Sequence, residues 1–297
     1  MMALRDYWAM VKKAAVAWND DYAPSMGAAI AYYTTFSLAP LLIIVIALAG
    51  LVFGQEAARG EIVSQLSGLV GEGGAKAVEG LLESANHPDT SVFASILGVL
   101  TLLLGATSVF AELQSALDRI WRAPAIQQPS GVLLLLRSRL LSFGMVVALG
   151  FLLLVSLVVG AALTALGRWG ETIFPAGLTA LQVLNMVVAF AVTTLLFAFA
   201  YRILPRARIA WSDVWVGSIV TAMLFTLGKY LISLYIGKAG VTSGFGAAGS
   251  FIVILVWVYY SAQIFLLGAE FTWVYAHSHG SKAGTAPPPP RALGSAA

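Results

Sequence analysis

The 297-residue chain has no cysteine, three histidines and only 10% charged residues. Without cysteine it can form no disulfide, no thiolate metal site and no cysteine nucleophile. Its histidines make no cluster. His87 is remote in sequence, and His277 and His279 stand two apart, on different faces of a helix. A soluble domain carries roughly 25% charged residues, so 10% excludes that class. There is no phosphate loop, dinucleotide fingerprint or serine elbow. Phosphodiester hydrolysis needs a metal cluster or an acid/base pair, and the sequence offers neither. We expect no catalytic residues, no bound metal, no cofactor and no enzyme activity. No cleavable signal is expected either, because Arg5, Asp6, Lys12, Lys13, Asp20 and Asp21 interrupt residues 1–24.

What the chain does have is apolar length. It is 59% hydrophobic, with mean hydropathy +0.87. A spanning helix needs about 20 mostly apolar residues, and six stretches qualify: Ser25–Phe53, Ser91–Phe110, Leu140–Leu166, Ala180–Tyr201, Val214–Tyr235 and Ala247–Tyr275. In lipid each backbone amide needs an internal partner, which makes these stretches helices. The fold class is thus an all-α integral membrane protein, a six-transmembrane-helix bundle with interfacial amphipathic helices.

The net charge of +3 and basic pI come from loops, and no nucleic-acid partner is expected. The N-terminus, the 111–139 loop, the 202–213 loop and the C-terminus hold Arg5, Lys12, Lys13, Arg119, Arg122, Arg137, Arg139, Arg202, Arg206, Arg208, Lys282 and Arg291. The opposite side holds Arg59, Lys76, Arg168, Lys229 and Lys238. This asymmetry places both termini in the cytoplasm.

Three units follow. Residues 1–24 are expected to form a cytoplasmic interfacial helix carrying Trp8, Val11, Ala15 and Trp18. Residues 25–276 form the membrane domain, and residues 277–297 a disordered tail containing Pro287–Pro290. The external loop 54–90 has apolar residues at helical spacing (Ile62, Leu66 and Leu69; Val78, Leu81 and Leu82), which reads as two short helices on the outer surface. Glu112–Trp121 is a further amphipathic segment, its apolar face made of Leu113, Leu117, Ile120 and Trp121. The glycine-rich Gly237–Ser250 segment suits a loop, a hinge or a re-entrant stretch.

Polar groups inside the bilayer are costly, which makes them candidates for function. Glu270 lies in the cytoplasmic half of the last span, with Gln263 two turns earlier and Tyr259 and Tyr260 continuing the stripe. Tyr32 and Thr35 share a face of the first span, ahead of the helix-bending Pro40. Arg202 is the expected partner of Glu270. These seven residues are candidates for a substrate path, and interhelical packing is the alternative use of the same groups.

Several motifs, in order, resemble one family. They are Pro24-Ser25, Ala28-Ala29-Ile30-Ala31-Tyr32-Tyr33 and Phe36-Ser37-Leu38-Ala39-Pro40, then Leu117-Asp118-Arg119-Ile120-Trp121. Tyr201-Arg202-Ile203-Leu204-Pro205 follows, then Trp211, Asp213 and Gly217, and finally Trp257-Val258-Tyr259-Tyr260-Ser261 and Leu267-Gly268-Ala269-Glu270. Between Trp18 and Tyr275 the chain resembles the YihY/BrkB membrane proteins, once labelled ribonuclease BN-like. The resemblance implies a six-helix bacterial inner-membrane protein but no settled activity. Our functional expectation is a non-ATP-driven transporter or flippase-like protein for a lipid or amphiphilic solute, with membrane lipids as partners. The alternative is a structural or assembly factor of the envelope. Ribonuclease activity is not expected.

Overall fold

A computed structural model describes residues 4–54, 108–123, 177–238 and 249–285, with isolated positions between 56 and 80. The described residues form helices joined by turns, bends and short irregular links, with no strand among them. Helix α1 spans Leu4–Asp20, α2 spans Ala23–Phe53, and α3 covers residues 108–120. Helices α4 (Gly177–Ile203), α5 (Trp211–Lys238) and α6 (Gly249–Ser278) complete the set. Three of these are long and apolar enough to cross a membrane, over Met186–Ile203, Trp211–Ile232 and Phe251–Ser278. α2 carries no charged side chain in 31 residues and stays helical through Pro40. The expected spans 91–110 and 140–166 lie mostly or wholly outside the described residues, as does most of Gly237–Ser250.

α6 is the hub, packing against α5, α2 and α1, while α4 packs against α5. Between spanning helices lipid is as apolar as leucine, so association rests on close contact and hydrogen bonds rather than on burial from water. Glycines provide the close contact. A Cβ at Gly217 would meet Thr272, with Cβ and Cγ2 at 2.7 and 2.8 Å. One at Gly268 would meet Thr221 and the Tyr201 hydroxyl, the latter at 2.5 Å. Tyr201 supplies a polar lock where these helices meet. It is fully buried on α4, and its hydroxyl donates to the Phe265 carbonyl of α6 at 2.7 Å and touches Thr221 Oγ1 of α5 at 3.0 Å. The outer faces stay apolar, with Met186, Val187, Met223, Leu227 and Leu234 exposed. In water such a surface would aggregate; against lipid tails it is the required finish.

Several expectations change here. Glu112–Trp121 is expected along the cytoplasmic surface, with its aromatic face on lipid headgroups or the bundle edge; Ala116, Leu117, Ile120 and Trp121 are buried in the main core cluster, so the apolar face meets protein. α1 is half-docked, with Met10 and Ala14 packed on Phe271 and Val274 while Trp8 is 73% exposed. Most of loop 54–90 lies outside the described residues; within it Val78 is buried against Ile232, Val253 and Ile254. Residues 278–285 of the expected disordered tail are folded. His279 and Gly280 amides donate to the Tyr275 carbonyl, and the Lys282 amide to that of Ala276, which folds 278–285 back on the end of α6. Pro287–Pro290 lies outside the described residues.

Candidate functional site: a buried carboxyl pair beneath a helix corner

The site begins with a sharp corner. α1 ends at Asp20, Tyr22 takes a left-handed φ of 57°, and α2 starts at once with Pro24 in its first turn, where a missing amide costs nothing. α3 ends the same way, with Arg122 at φ 49°. Neither residue is glycine, so each conformation costs about 1–2 kcal/mol. Each also delivers a neighbouring cation. Arg119 lies 5.2 Å from the Tyr22 ring centroid, and Arg122 lies 4.6 Å from that of Trp273.

α6 meets this corner with the stripe that carries Gln263 and Glu270. Gln263 Nε2 donates to the Pro24 carbonyl at 3.4 Å. Glu270 is 1% exposed and lies near Asp21 at this corner. Arg119 Nε lies 3.7 Å from Asp21 Oδ1. Burial pushes Asp21 above its ordinary 3.8; the hydrogen bond with Glu270 and the Arg119 and Arg122 charges oppose it. A raised folded value sets the sign of the linkage: the stabilising contribution is complete below 3.8 and is lost as pH rises through the folded value. Glu270 Oε1, Gln263 Oε1 and the indole N–H groups of Trp18, Trp121 and Trp273 are buried without a hydrogen-bond partner. An open cleft of about 390 Å³ borders the corner, lined by Asn19, Asp20, Tyr22, Pro24 and Ser25.

Two further carboxylates tie this end together. Asp118 of α3 accepts from the Arg206 amide at 2.7 Å, and Arg206 Nε stands 3.5 Å from its other oxygen. Asp213, fully buried in the first turn of α5, accepts from the Ser281 amide at 3.1 and 3.3 Å and from the Ser281 hydroxyl at 2.5 Å. Lys282 then lies 5.2 Å from the ring centroid of Trp121.

The expected site residues separate. Glu270 and Gln263 share one buried face. Thr35 is buried but bonds its own helix, at the Ala31 carbonyl. Tyr260 lies at the α5–α6 contact over Gly228. Tyr32 is 55% exposed and stacks with Tyr33 and Phe36, away from the bundle interior. Tyr259 is 36% exposed. Arg202 does not partner Glu270; its guanidinium lies 5.7 Å from the Trp211 ring centroid. The helix corner puts Asp21 at Glu270 instead, and α3 brings Arg119 and Arg122. Sequence reasoning placed Asp21 in the N-terminal interfacial segment and Arg119 and Arg122 off the apolar face of Glu112–Trp121, and did not name them as site residues, although Asp118, Arg119 and Trp121 lie in a recognisable motif. No group of three His, Cys, Asp or Glu residues fit to hold a metal occurs among the described residues.

The fold and site define a helical membrane protein organised around buried polar anchors at its basic end. Residues 14–292 match the family model described as "Virulence factor BrkB", and the chain belongs to that family. A "UPF0761 membrane protein" of Pseudomonas aeruginosa is 28% identical over 253 residues, covering 84% of this chain and 58% of the relative. One from Alteromonas mediterranea is 32% identical over 180 residues, covering 60% of this chain and 58% of the relative. The chain therefore spans less than two thirds of these relatives' length. No solved structure matches.

Proposed function

We propose that this BrkB-family chain is a six-span protein of the bacterial inner membrane, with both termini cytoplasmic. On this reading it moves a lipid or other amphiphilic solute across the bilayer without ATP. The orientation rests on the basic loops. Reporter fusions after Ala85 and after Arg208 are expected to lie on opposite sides of the membrane; the same side for both would remove the six-span arrangement.

The observation that carries transport is the buried Glu270 at a corner where Asp21 is ion-paired with Arg119, beside an open cleft. Removing such charges from water costs several kcal/mol per ion, and apolar residues of similar volume usually pack a helix junction at least as well. Charge kept there points to use. Arg119 and Arg122 also suit an anionic headgroup. Reconstituted Glu270→Gln protein is expected to insert and fold but to move lipids or amphiphiles at least about tenfold more slowly, the loss of roughly 1.4 kcal/mol of transition-state stabilisation.

The envelope-scaffold reading has its own support. Glu270 is sealed at 1% exposure, and Tyr32 and Tyr259 do not join it in one passage. On that reading Glu270→Gln lowers expression or stability, and the wild type transports nothing. Normal expression with unchanged transport would remove both readings.

A further inference from the structure

We infer that α1 is a lipid-seated brace. One side of it clamps α5 and α6, and its Tyr7–Val11 side binds a leaflet that contains anionic phospholipid. The inference goes beyond the transport reading and borrows from it only which leaflet is meant, the cytoplasmic one.

Depth is the first observation. Met10 and Ala14 are buried with Phe271 and Val274 of α6, and Val216 and Val220 of α5 pack on the same cluster. All four partners lie inside stretches long and apolar enough to cross a membrane. Val216 and Val220 stand five and nine residues past Trp211, the start of α5, which is about 8–14 Å along its axis. Just before them Trp211 and Trp215 are exposed. Tryptophans on the outside of a spanning helix mark the headgroup level. A helix docked on Val216 and Val220 is therefore level with the inner edge of that belt, not out in water.

The outer side of α1 fits that depth. Tyr7, Trp8, Val11 and Ala15 share one side of the helix. Tyr7 is 47%, Trp8 73% and Val11 44% exposed, so protein leaves this stripe uncovered. The stripe adjoins the docked side of Met10 and Ala14. Asp6, Lys13 and Asp20 share the opposite side, and all three are exposed. An interfacial helix has this layout, with apolar side chains at the acyl boundary and charge towards water.

Charge selects the lipid. Lys12 is exposed at the border between the apolar and polar sides, one turn beyond Trp8. Its helix neighbours one turn away are Trp8, Ala9, Ala15 and Val16, so α1 offers it no carboxylate at that spacing. A lysine at such a border lays its stem on apolar surface and lifts its ammonium to the phosphates. Its complement is an anionic headgroup. The same contacts carry the seat inwards: Phe271, beside the buried Glu270, rests on Met10 and Ala14, so the leaflet that holds α1 also supports α6 at this end.

The test uses the full chain in lipid nanodiscs. The chain has no cysteine, so one introduced thiol takes one spin label. Val11→Cys and Lys13→Cys are labelled in turn and exposed to oxygen, which enters lipid, and to a nickel chelate, which stays in water. The Val11 label is expected about 5–10 Å below the phosphates, open to oxygen and closed to nickel; the Lys13 label should show the reverse. A Val11 label open to nickel, or shielded from both reagents as under a second protein surface, would overturn the lipid seat. The second arm compares brominated phosphatidylglycerol with brominated phosphatidylcholine as quenchers of Trp8, isolated as the difference between the parent and Trp8→Phe. Phosphatidylglycerol should quench about fivefold better per molecule, the gain expected from one lysine at an anionic surface, and Lys12→Gln should remove the preference. Equal quenching by the two lipids would overturn the anionic partner. Both positions labelled are exposed, so neither label disturbs the packing. Neither arm involves a transported substrate, so the transport reading can fail while the brace stands, and the reverse.

Discussion

Gly268→Ala is expected to lower stability by about 2–3 kcal/mol, at the upper end of what one extra methyl does in a filled interior. Gly27→Ala should cost under about 1 kcal/mol. Both glycines sit in helices, and both would place a Cβ against a polar side chain. The difference is whether that neighbour can move. At Gly27 it is the amide tip of Gln263, which can swing away for the loss of one long bond to Pro24. At Gly268 the neighbours are Thr221 and Tyr201. Thr221 Oγ1 donates to the Gly217 carbonyl at 2.7 Å, and Tyr201 donates to that of Phe265 at 2.7 Å. Moving either breaks a buried hydrogen bond or drives α5 from α6. Alanine's better helix propensity recovers about 1 kcal/mol at most, so overpacking decides the sign. Thermal unfolding of both variants in the same detergent checks the contrast; equal losses would mean the α4–α5–α6 junction is softer than described.

The second large effect is expected at Asp213. Asp213→Ala should cost about 3 kcal/mol, because hydrogen bonds to a charged group contribute about 1.5–3 kcal/mol and the Ser281 amide and hydroxyl both lose their acceptor. The site is fully buried, so water cannot easily replace the carboxylate. Asp213→Asn keeps one acceptor oxygen and should recover part of the loss. The readout is local as well as global. With the latch open, limited proteolysis should cut between Ser278 and Thr285 in Asp213→Ala and spare the parent. Uncut Asp213→Ala protein of unchanged stability would show that Lys282 and the α6 turn hold this segment without Asp213.

Much of this was legible in the sequence. The expected spans 25–53, 180–201, 214–235 and 247–275 fall within a few residues of α2, α4, α5 and α6. Long uncharged runs leave a chain in lipid little choice. The placement of Glu270 and Gln263 on one buried stripe followed from seven-residue spacing. Partner choice did not follow. Arg202 and Asp21 lie at the same end of their helices, and only the corner at Tyr22 and the docking of α3 determine which one reaches Glu270. Periodicity revealed the apolar face of Glu112–Trp121 but not what covers it, since protein and lipid select the same side chains. The tail misled through composition: alanine, glycine and serine read as disorder, while one carboxylate 68 residues away in sequence organises Ser281.

The position of α6 at the centre has a consequence for biogenesis. A ribosome makes α1, α2, α4 and α5 before the helix against which α1, α2 and α5 pack and whose Phe265 carbonyl Tyr201 of α4 engages. Until then Gly217 lacks Thr272 beside it and Asp213 waits for Ser281. Assembly of this end is therefore post-insertional. Its last closing contacts form only as residues 270–285 leave the exit tunnel, and a nascent chain stalled short of them should present its buried acids to the insertion machinery and to quality-control proteases.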